Sequence, residues 1–379
     1  MKKLGFGTMR LPLLDADDTA SIDFDQTSKM ADMFFERGFT YVDTAYPYHS
    51  EHSEEAVKKC ITDRFPRERF FLADKMPILR VTGPDQYQGY FDTQRKRCGT
   101  EYFDNYLLHN LGRDRYINTE KFGGFAFMEK MKKAGNIRNI GFSFHDDAET
   151  LDRILTDHPE VDFVQLQINY LDWEDAVTQS GKCYETATKH GKPVVVMEPV
   201  KGGTLASLPE VAAGYFRDHY LAQGLTEGSL PTPASLAIRF AASLPNVMMV
   251  LSGMSSIGQM DDNTGYMQDF KPLAEGEKAL TKKISGYMRE KIRVACTSCR
   301  YCTEVCPQNI NIPGYFGLLN LHAITGKKTV MYYERYSMNR GKAGDCLKCG
   351  LCEQNCPQHL PIRDHLKEFA ALYEEDQKS

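Results

Sequence analysis

Up to about residue 270 the chain alternates short apolar runs with longer stretches whose apolar residues recur at three- and four-residue spacing. The short runs predict strands over Leu4–Thr8, Tyr41–Asp43, Phe70–Lys75, Tyr102–His109, Ile137–Ser143, Phe163–Asn169, Val194–Glu198 and Met248–Ser252. Between them the spacing predicts amphipathic helices such as Ser28–Arg37, Glu54–Asp63, Lys121–Ala134 and Ala148–Asp157. Eight strand–helix units at intervals of about 30 residues describe an α/β protein of the (β/α)8 TIM-barrel type. Gly203–Pro233 breaks the rhythm. It is rich in Gly and Pro and reads as an inserted loop with a short helix before the last unit. Further on, Ile312–Ile324, Thr329–Tyr336 and Ile362–Tyr373 read as helices, followed by a polar tail expected to fray.

Composition sets few further bounds. A chain of 379 residues suits one barrel of about 250 residues with an appendage. Apolar content of 42% and charged content of 26% are ordinary for a soluble protein. A net charge of −5 without a basic stripe argues against nucleic acid and against a lipid surface. Lys291, Arg293, Arg300 and Lys348 read as a solvated face, the alternative being a dock for an acidic redox partner. The opening MKKLGFGTMRLPLLDADD has two lysines but no long apolar run after them, so it reads as neither signal peptide nor membrane span. A reducing cytoplasm is the expected location.

Cysteine placement changes the picture. Eight of eleven cysteines fall in two C-x2-C-x2-C-x3-C-P runs, Cys296-Cys299-Cys302-Cys306-Pro307 and Cys346-Cys349-Cys352-Cys356-Pro357. A short loop carrying three evenly spaced cysteines wraps one cubane, and the fourth lies beyond its reach and serves the neighbouring cluster. The expected ligands are therefore Cys296, Cys299, Cys302 and Cys356 for one 4Fe–4S cluster, and Cys346, Cys349, Cys352 and Cys306 for the other. Zinc also favours C-x2-C pairs, but a third evenly spaced cysteine plus Cys-Pro, repeated, is poorly described by zinc pairs. Cys60, Cys98 and Cys183 are scattered upstream and read as small buried or partly exposed thiols. The predicted organisation is a barrel over residues 1–275 and a small, mainly helical ferredoxin-like domain over 276–379.

Within the barrel region, polar residues sit where apolar strands end. Asp43 closes Tyr41-Val42, Lys75 follows Phe70–Ala73, His109 follows Tyr106-Leu107-Leu108, and Tyr48 lies in the loop after the second strand. C-terminal strand ends face the active-site mouth of such a barrel, so all four are candidates for one site. The surrounding text resembles the aldo-keto reductases along almost the whole barrel. It does so in Gly5-Phe6-Gly7-Thr8-Met9-Arg10, in Tyr41-Val42-Asp43-Thr44-Ala45-Tyr46-Pro47-Tyr48, in Asp104–His109 and in Gly135–Ser143. With its cysteine module, the chain resembles the iron–sulfur branch of that family.

That resemblance implies a catalytic tetrad of Asp43, Tyr48, Lys75 and His109 reducing a carbonyl, or oxidising an alcohol, with NADP(H) or NAD(H). Tyr48 would supply the proton, a cationic Lys75 would lower its pKa, Asp43 would hold Lys75, and His109 would orient the carbonyl. It also implies cofactor contacts from Thr8, Met9 and Asp43, from Ser143 and Gln165 at the carboxamide, and from Met197 where an aromatic usually stacks. Phe144 stands where an Asn is usual. In the last strand's loop, Gly253 and Gln259, read back from Asn263, occupy the places where relatives carry a Lys and an Arg for a 2′-phosphate. Without that charged grip the choice between NADPH and NADH, and even dinucleotide binding itself, stays open. A hydride carrier moves two electrons and a cluster one, and no flavin fingerprint of the G-x-G-x-x-G type follows a strand. Three readings follow. The barrel reduces a small carbonyl compound while the clusters serve structure or a redox protein partner. Alternatively the clusters feed single electrons to a substrate in the mouth without a nicotinamide, or the chain is chiefly a ferredoxin-type electron carrier.

Overall fold

The computed structural model describes residues 2–175, 178–325, 328, 330–337 and 340–374. Eight parallel strands close into a barrel in chain order: β1 Leu4–Gly7, β2 Tyr41–Asp43, β3 Phe71–Met76, β4 Phe103–Leu111, β5 Ile137–Phe144, β6 Phe163–Gln167, β7 Val194–Met197 and β8 Val247–Ser252. The eight-strand (β/α)8 expectation holds, with boundaries moved by one or two residues. Helices Phe24–Glu36, Gln86–Cys98, Gly124–Lys133, Ala148–Asp157 and Ser180–Lys189 belong to the surrounding layer. Asp23 and Asp147 cap the first and fourth of these by accepting from Gln26 N and Thr150 N.

The alternation along each strand explains where the core and the site lie. Tyr41, Ala73, Leu107, Phe163, Val195, Met249 and Leu251 meet in a cluster inside the barrel. Their neighbours, such as Val42, Leu72, Leu108, Val164, Val196 and Val250, join the larger core under the helices. A strand period of two then turns residues Asp43, Lys75, His109, Gln165 and Met197 inward, one layer nearer the C-terminal mouth. Gly5 belongs to the interior layer for want of space: a Cβ there would come within 2.8 Å of Leu251 Cδ2 and 3.1 Å of Tyr41 Cδ1.

The chain divides into two compact units, residues 1–200 with 231–278 and residues 201–230 with 279–379. The segment expected as an inserted loop with a short helix contains a 12-residue helix, Glu210–Leu221, whose Tyr215 ring meets Tyr287 at 6.1 Å in the second unit. Its Gly and Pro residues lie mostly at the helix flanks, where the turn signals belong.

In the second unit the two cysteine runs repeat one backbone. Each ends in a one-turn helix, Tyr301–Glu304 and Leu351–Gln354, and leads into a longer one, Ile312–Thr325 and Ile362–Tyr373. Left-handed residues recur at matching places: Ser298 and Lys348, Arg300 and Gly350, Asn309 and His359. The core between the repeats is aromatic, with Tyr315 and Phe369 stacked at 4.7 Å and Phe369 and Tyr373 at 4.4 Å. Helix Val330–Ser337 stands near the expected position. Its expected start at Thr329 and the expected frayed tail after 374 lie outside the described residues. Among the described residues no helix is long and apolar enough to cross a membrane.

Candidate active site and cluster ligands

The polar layer at the barrel mouth brings the four expected residues together. Lys75 Nζ lies 2.6 Å from Asp43 Oδ1, 2.7 Å from Thr44 O and 3.4 Å from Tyr48 Oη. The Tyr48 and His109 rings stand edge to face at 5.9 Å. Lys75 is wholly buried and Asp43 is 2% exposed, so this is an ion pair removed from water. Asp43 Oδ2 has no hydrogen-bond partner among the described residues. Burial holds the Asp43 carboxyl above its usual range, against the pull of Lys75.

The electrostatics of Tyr48 differ from the expectation that Lys75 lowers its pKa. Burial, then the negative charges of Asp43, Glu198 and Asp74, hold the phenol well above its usual value, with Arg10 pulling the other way. The Lys75 charge is committed to Asp43, so the phenol meets a nearly neutral pair and a net anionic surround. His109 moves the other way. Burial, Lys75, His145 and Arg115 push its pKa well below that of a free imidazole, so it is neutral at physiological pH.

The expected cofactor residues line the same mouth. Thr8 and Met9 form a single helical turn after β1, and Thr8 Oγ1 donates to Asp43 O at 3.0 Å. Ser143 Oγ accepts from Asn110 N at 2.7 Å, which leaves its hydroxyl proton to offer. Gln165 is 2% exposed; its Nε2 points to Met197 Sδ at 3.6 Å, while its Oε1 has no partner among the described residues. A buried amide oxygen without a donor costs about 1–3 kcal/mol. An incoming carboxamide N–H would satisfy it, so the residues present fit the nicotinamide end of a dinucleotide. Phe144, by contrast, is buried beside Phe142 and offers the mouth no polar group.

The loop after β8 lacks the usual grip, as expected. Gln259 is tied up locally, its Oε1 accepting from Ser255 N and its own N–H donating to the Ser256 cap. Asn263 donates to Ser252 Oγ at 2.8 Å and accepts from Tyr266. Gly253 lies under Arg10, whose side-chain carbons would be about 3.3 Å from a Cβ placed there. Two residues not singled out from sequence enter here. Arg10 Nη2 lies 3.7 Å from Glu198 Oε1, and Glu198 holds a left-handed backbone, φ +56°, at the end of β7. Such strain in a non-glycine residue costs about 1–2 kcal/mol and concentrates at functional sites. The signal available in sequence was a charged residue directly after an apolar strand.

In the second unit, Cys296, Cys299, Cys302 and Cys356 line one cavity together with Phe316 and Ile362. Burial and the neighbouring Cys299, Cys296 and Cys356 raise the Cys302 thiol. Burial, Glu353, Cys346 and Cys306 push Cys352 up to about 11. Both neighbourhoods contain the fourth cysteine of the other run, the crossed arrangement expected from spacing. Among the described residues no three His, Cys, Asp or Glu side chains converge on a single-ion position. Thiols spread around a cavity fit a cubane better than a tetrahedral zinc ion. Cys60, Cys98 and Cys183 are buried in the barrel core, as expected.

Comparison with known proteins agrees with this fold. A model of the aldo/keto reductase family matches residues 3–285, and one of a 4Fe-4S dicluster domain matches 295–360. The chain belongs to the aldo/keto reductase family and is an oxidoreductase carrying an iron–sulfur domain. A probable aldo-keto reductase 1 of Glycine max is 25% identical over 292 residues, covering 70% of this chain and 81% of that protein. An aldo-keto reductase from Bacillus halodurans in its holo form matches with TM-score 0.56 at 23% identity, over 74% of this chain and 91% of the other. One from Klebsiella pneumoniae in complex with NADPH matches with TM-score 0.56 at 21% identity, over 75% and 90%. At that identity these two structures speak for the fold.

Proposed function

We propose that the barrel reduces a small carbonyl compound with NADPH or NADH, and that the appended module holds two 4Fe–4S clusters on the crossed cysteine sets. The observation that carries the reading is the buried Asp43–Lys75–Tyr48 cluster facing His109, beside the unsatisfied Gln165 Oε1. The nicotinamide supplies a hydride when bound, and each cluster exchanges one electron. Gln165 and Ser143 would hold the carboxamide, with Met197 packing on the ring in place of an aromatic.

The residues of the chain supply the rest. Neutral His109 donates a hydrogen bond that fixes the carbonyl oxygen. Tyr48, protonated at rest because its pKa is raised, gives its proton to the oxygen as alkoxide character develops. A high phenol pKa does not impede this transfer, since an alkoxide is the stronger base. Lys75 then stabilises the tyrosinate through its 3.4 Å contact, held in place by Asp43. The test is turnover of a panel of aldehydes and ketones by the anaerobically purified protein. Tyr48→Phe should abolish it while leaving iron content unchanged. Unaffected turnover in that variant, or failure of both dinucleotides to bind at millimolar concentration, sinks the reading.

A further inference from the structure

Behind the polar layer of the barrel mouth lies a pair of carboxyl groups that the carbonyl chemistry does not use. Asp74 precedes Lys75 on β3, so its side chain leaves the opposite face of the strand, away from the barrel interior. Glu54 belongs to helix Ser53–Val57, the element that follows the Tyr48 loop. Both residues are 0% exposed, and their carboxyls lie within hydrogen-bonding reach of each other. Glu54 Oε1 nevertheless has no donor among the described residues. Two carboxylates have no proton to offer one another, so this oxygen is satisfied only when its neighbour is protonated.

The surrounding charges balance one ionised carboxyl and not two. Arg97 Nη1 lies 3.2 Å from Glu54 Oε2, while its Nη2 lies 3.3 Å from Glu51 Oε2. Asp74 Oδ1 accepts from Lys75 N at 2.8 Å and its Oδ2 from the Cys98 thiol at 3.7 Å. The Lys75 ammonium itself is committed to Asp43. Other titratable or charged groups facing the pair are Tyr106 on β4, Tyr48 and, beyond Cys98, Arg67. Two buried carboxyls in contact do not both ionise, and the one without a cation of its own keeps the proton.

The pair also joins the two sides of the proposed proton-transfer unit. Ser53 N donates to Tyr48 O at 3.2 Å, and Ser53 Oγ meets Thr44 Oγ1 at 2.9 Å, so the start of the Glu54 helix is fastened to the Tyr48 segment. Asp74 is fastened to the backbone of Lys75. We propose that Asp74 and Glu54 are positioning residues that share one proton, and that this carboxyl-to-carboxyl bond ties the Tyr48 segment to the Lys75 strand; this rests on the proposed roles of Tyr48 and Lys75. Loss of the shared proton leaves two anions in contact, which repel and add a charge facing Tyr48. The distance at stake is the 3.4 Å between Lys75 Nζ and Tyr48 Oη.

The test uses the full chain and two independent readouts. Infrared spectra at mildly alkaline pH should show the carbonyl band of a protonated carboxylic acid in the natural protein and lose it in Asp74→Asn. Asp74→Ala should lower kcat for carbonyl reduction by about 10- to 100-fold, as displacement of a reacting group by about 1 Å does, with KM within about 2-fold. Asp74→Asn can still donate to Glu54 and should recover most of that loss. In a Glu54→Ala background the bond is already gone, so adding Asp74→Ala should cost no more than about 2-fold further. Circular dichroism and iron content on the same samples show which variants are folded. The band without any carbonyl turnover indicts the reading of the barrel. Turnover without the band, Asp74→Asn as slow as Asp74→Ala, or fully additive losses overturn this inference.

Discussion

Replacing Lys75 by methionine tests the centre of the proposed site. The ammonium makes three contacts, with Asp43 Oδ1, Thr44 O and Tyr48 Oη, and the methionine keeps the volume but none of them. Asp43 would then be a buried carboxylate whose second oxygen already lacks a partner. Breaking a buried pair on one side costs about 3–5 kcal/mol, because a charge is left behind in low dielectric. A domain of this size loses about 2–4 °C in Tm per kcal/mol, so its transition should fall by roughly 6–20 °C. Turnover should drop by about 10²–10⁴-fold, as the tyrosinate loses its counter-charge. The double variant Asp43→Asn/Lys75→Met removes both charges, and it should recover most of the stability but none of the turnover. Circular dichroism melts and carbonyl-reduction rates read the two effects separately. A single variant that melts within about 1 °C of the natural protein, or a double variant no more stable than the single, would refute the account of the pair.

Gln165→Leu should weaken dinucleotide binding about 10-fold by calorimetry. It should leave stability unchanged or improved, since it removes an unsatisfied oxygen instead of a bond. Cys356→Ala should halve the iron content, and the EPR signal that survives should come from the cluster on Cys346, Cys349, Cys352 and Cys306; loss of both clusters together would speak against independent crossed sites. Asp74 lies at 0% exposure behind Lys75, and burial, then the charge of Glu54, hold its carboxyl well above the usual range. A folded pKa above the unfolded one means that the stability contribution is present below the unfolded value, about 3.9, and is lost as pH rises through the folded value. Asp74→Asn should therefore flatten the fall in barrel stability with rising pH, measured by urea unfolding across a pH series.

Much of the architecture was legible because strand patterning and barrel geometry say the same thing. Tyr41-Val42-Asp43 and Leu107-Leu108-His109 show an apolar strand whose last inward residue turns polar, and the mouth is where such residues gather. The grouping of three cysteines per loop was legible because reach along a short loop is a local property, and Cys356 lines the cavity of Cys296, Cys299 and Cys302. Three things were not. The grouping of helix Glu210–Leu221 with the second unit depends on non-local packing such as Tyr215 on Tyr287. The repeat of left-handed residues around both cysteine runs is a backbone property that only Gly350 announces in sequence. The sign of the Tyr48 shift depends on Glu198 and Asp74, which no local spacing connects to the phenol.

That sign bears on the direction of the proposed reaction. Reduction needs Tyr48 protonated before the carbonyl binds, and oxidation of an alcohol needs it deprotonated. With Lys75 committed to Asp43 and three carboxylates adding to burial, the protonated phenol is the resting form at neutral pH. Neutral His109 adds to the bias, because an imidazole that is not charged does not pull the phenol toward ionisation. Arg10 acts downward, and its partner Glu198 is itself among the groups acting upward. The mouth of the barrel is thus arranged to give a proton and to accept one only at high pH.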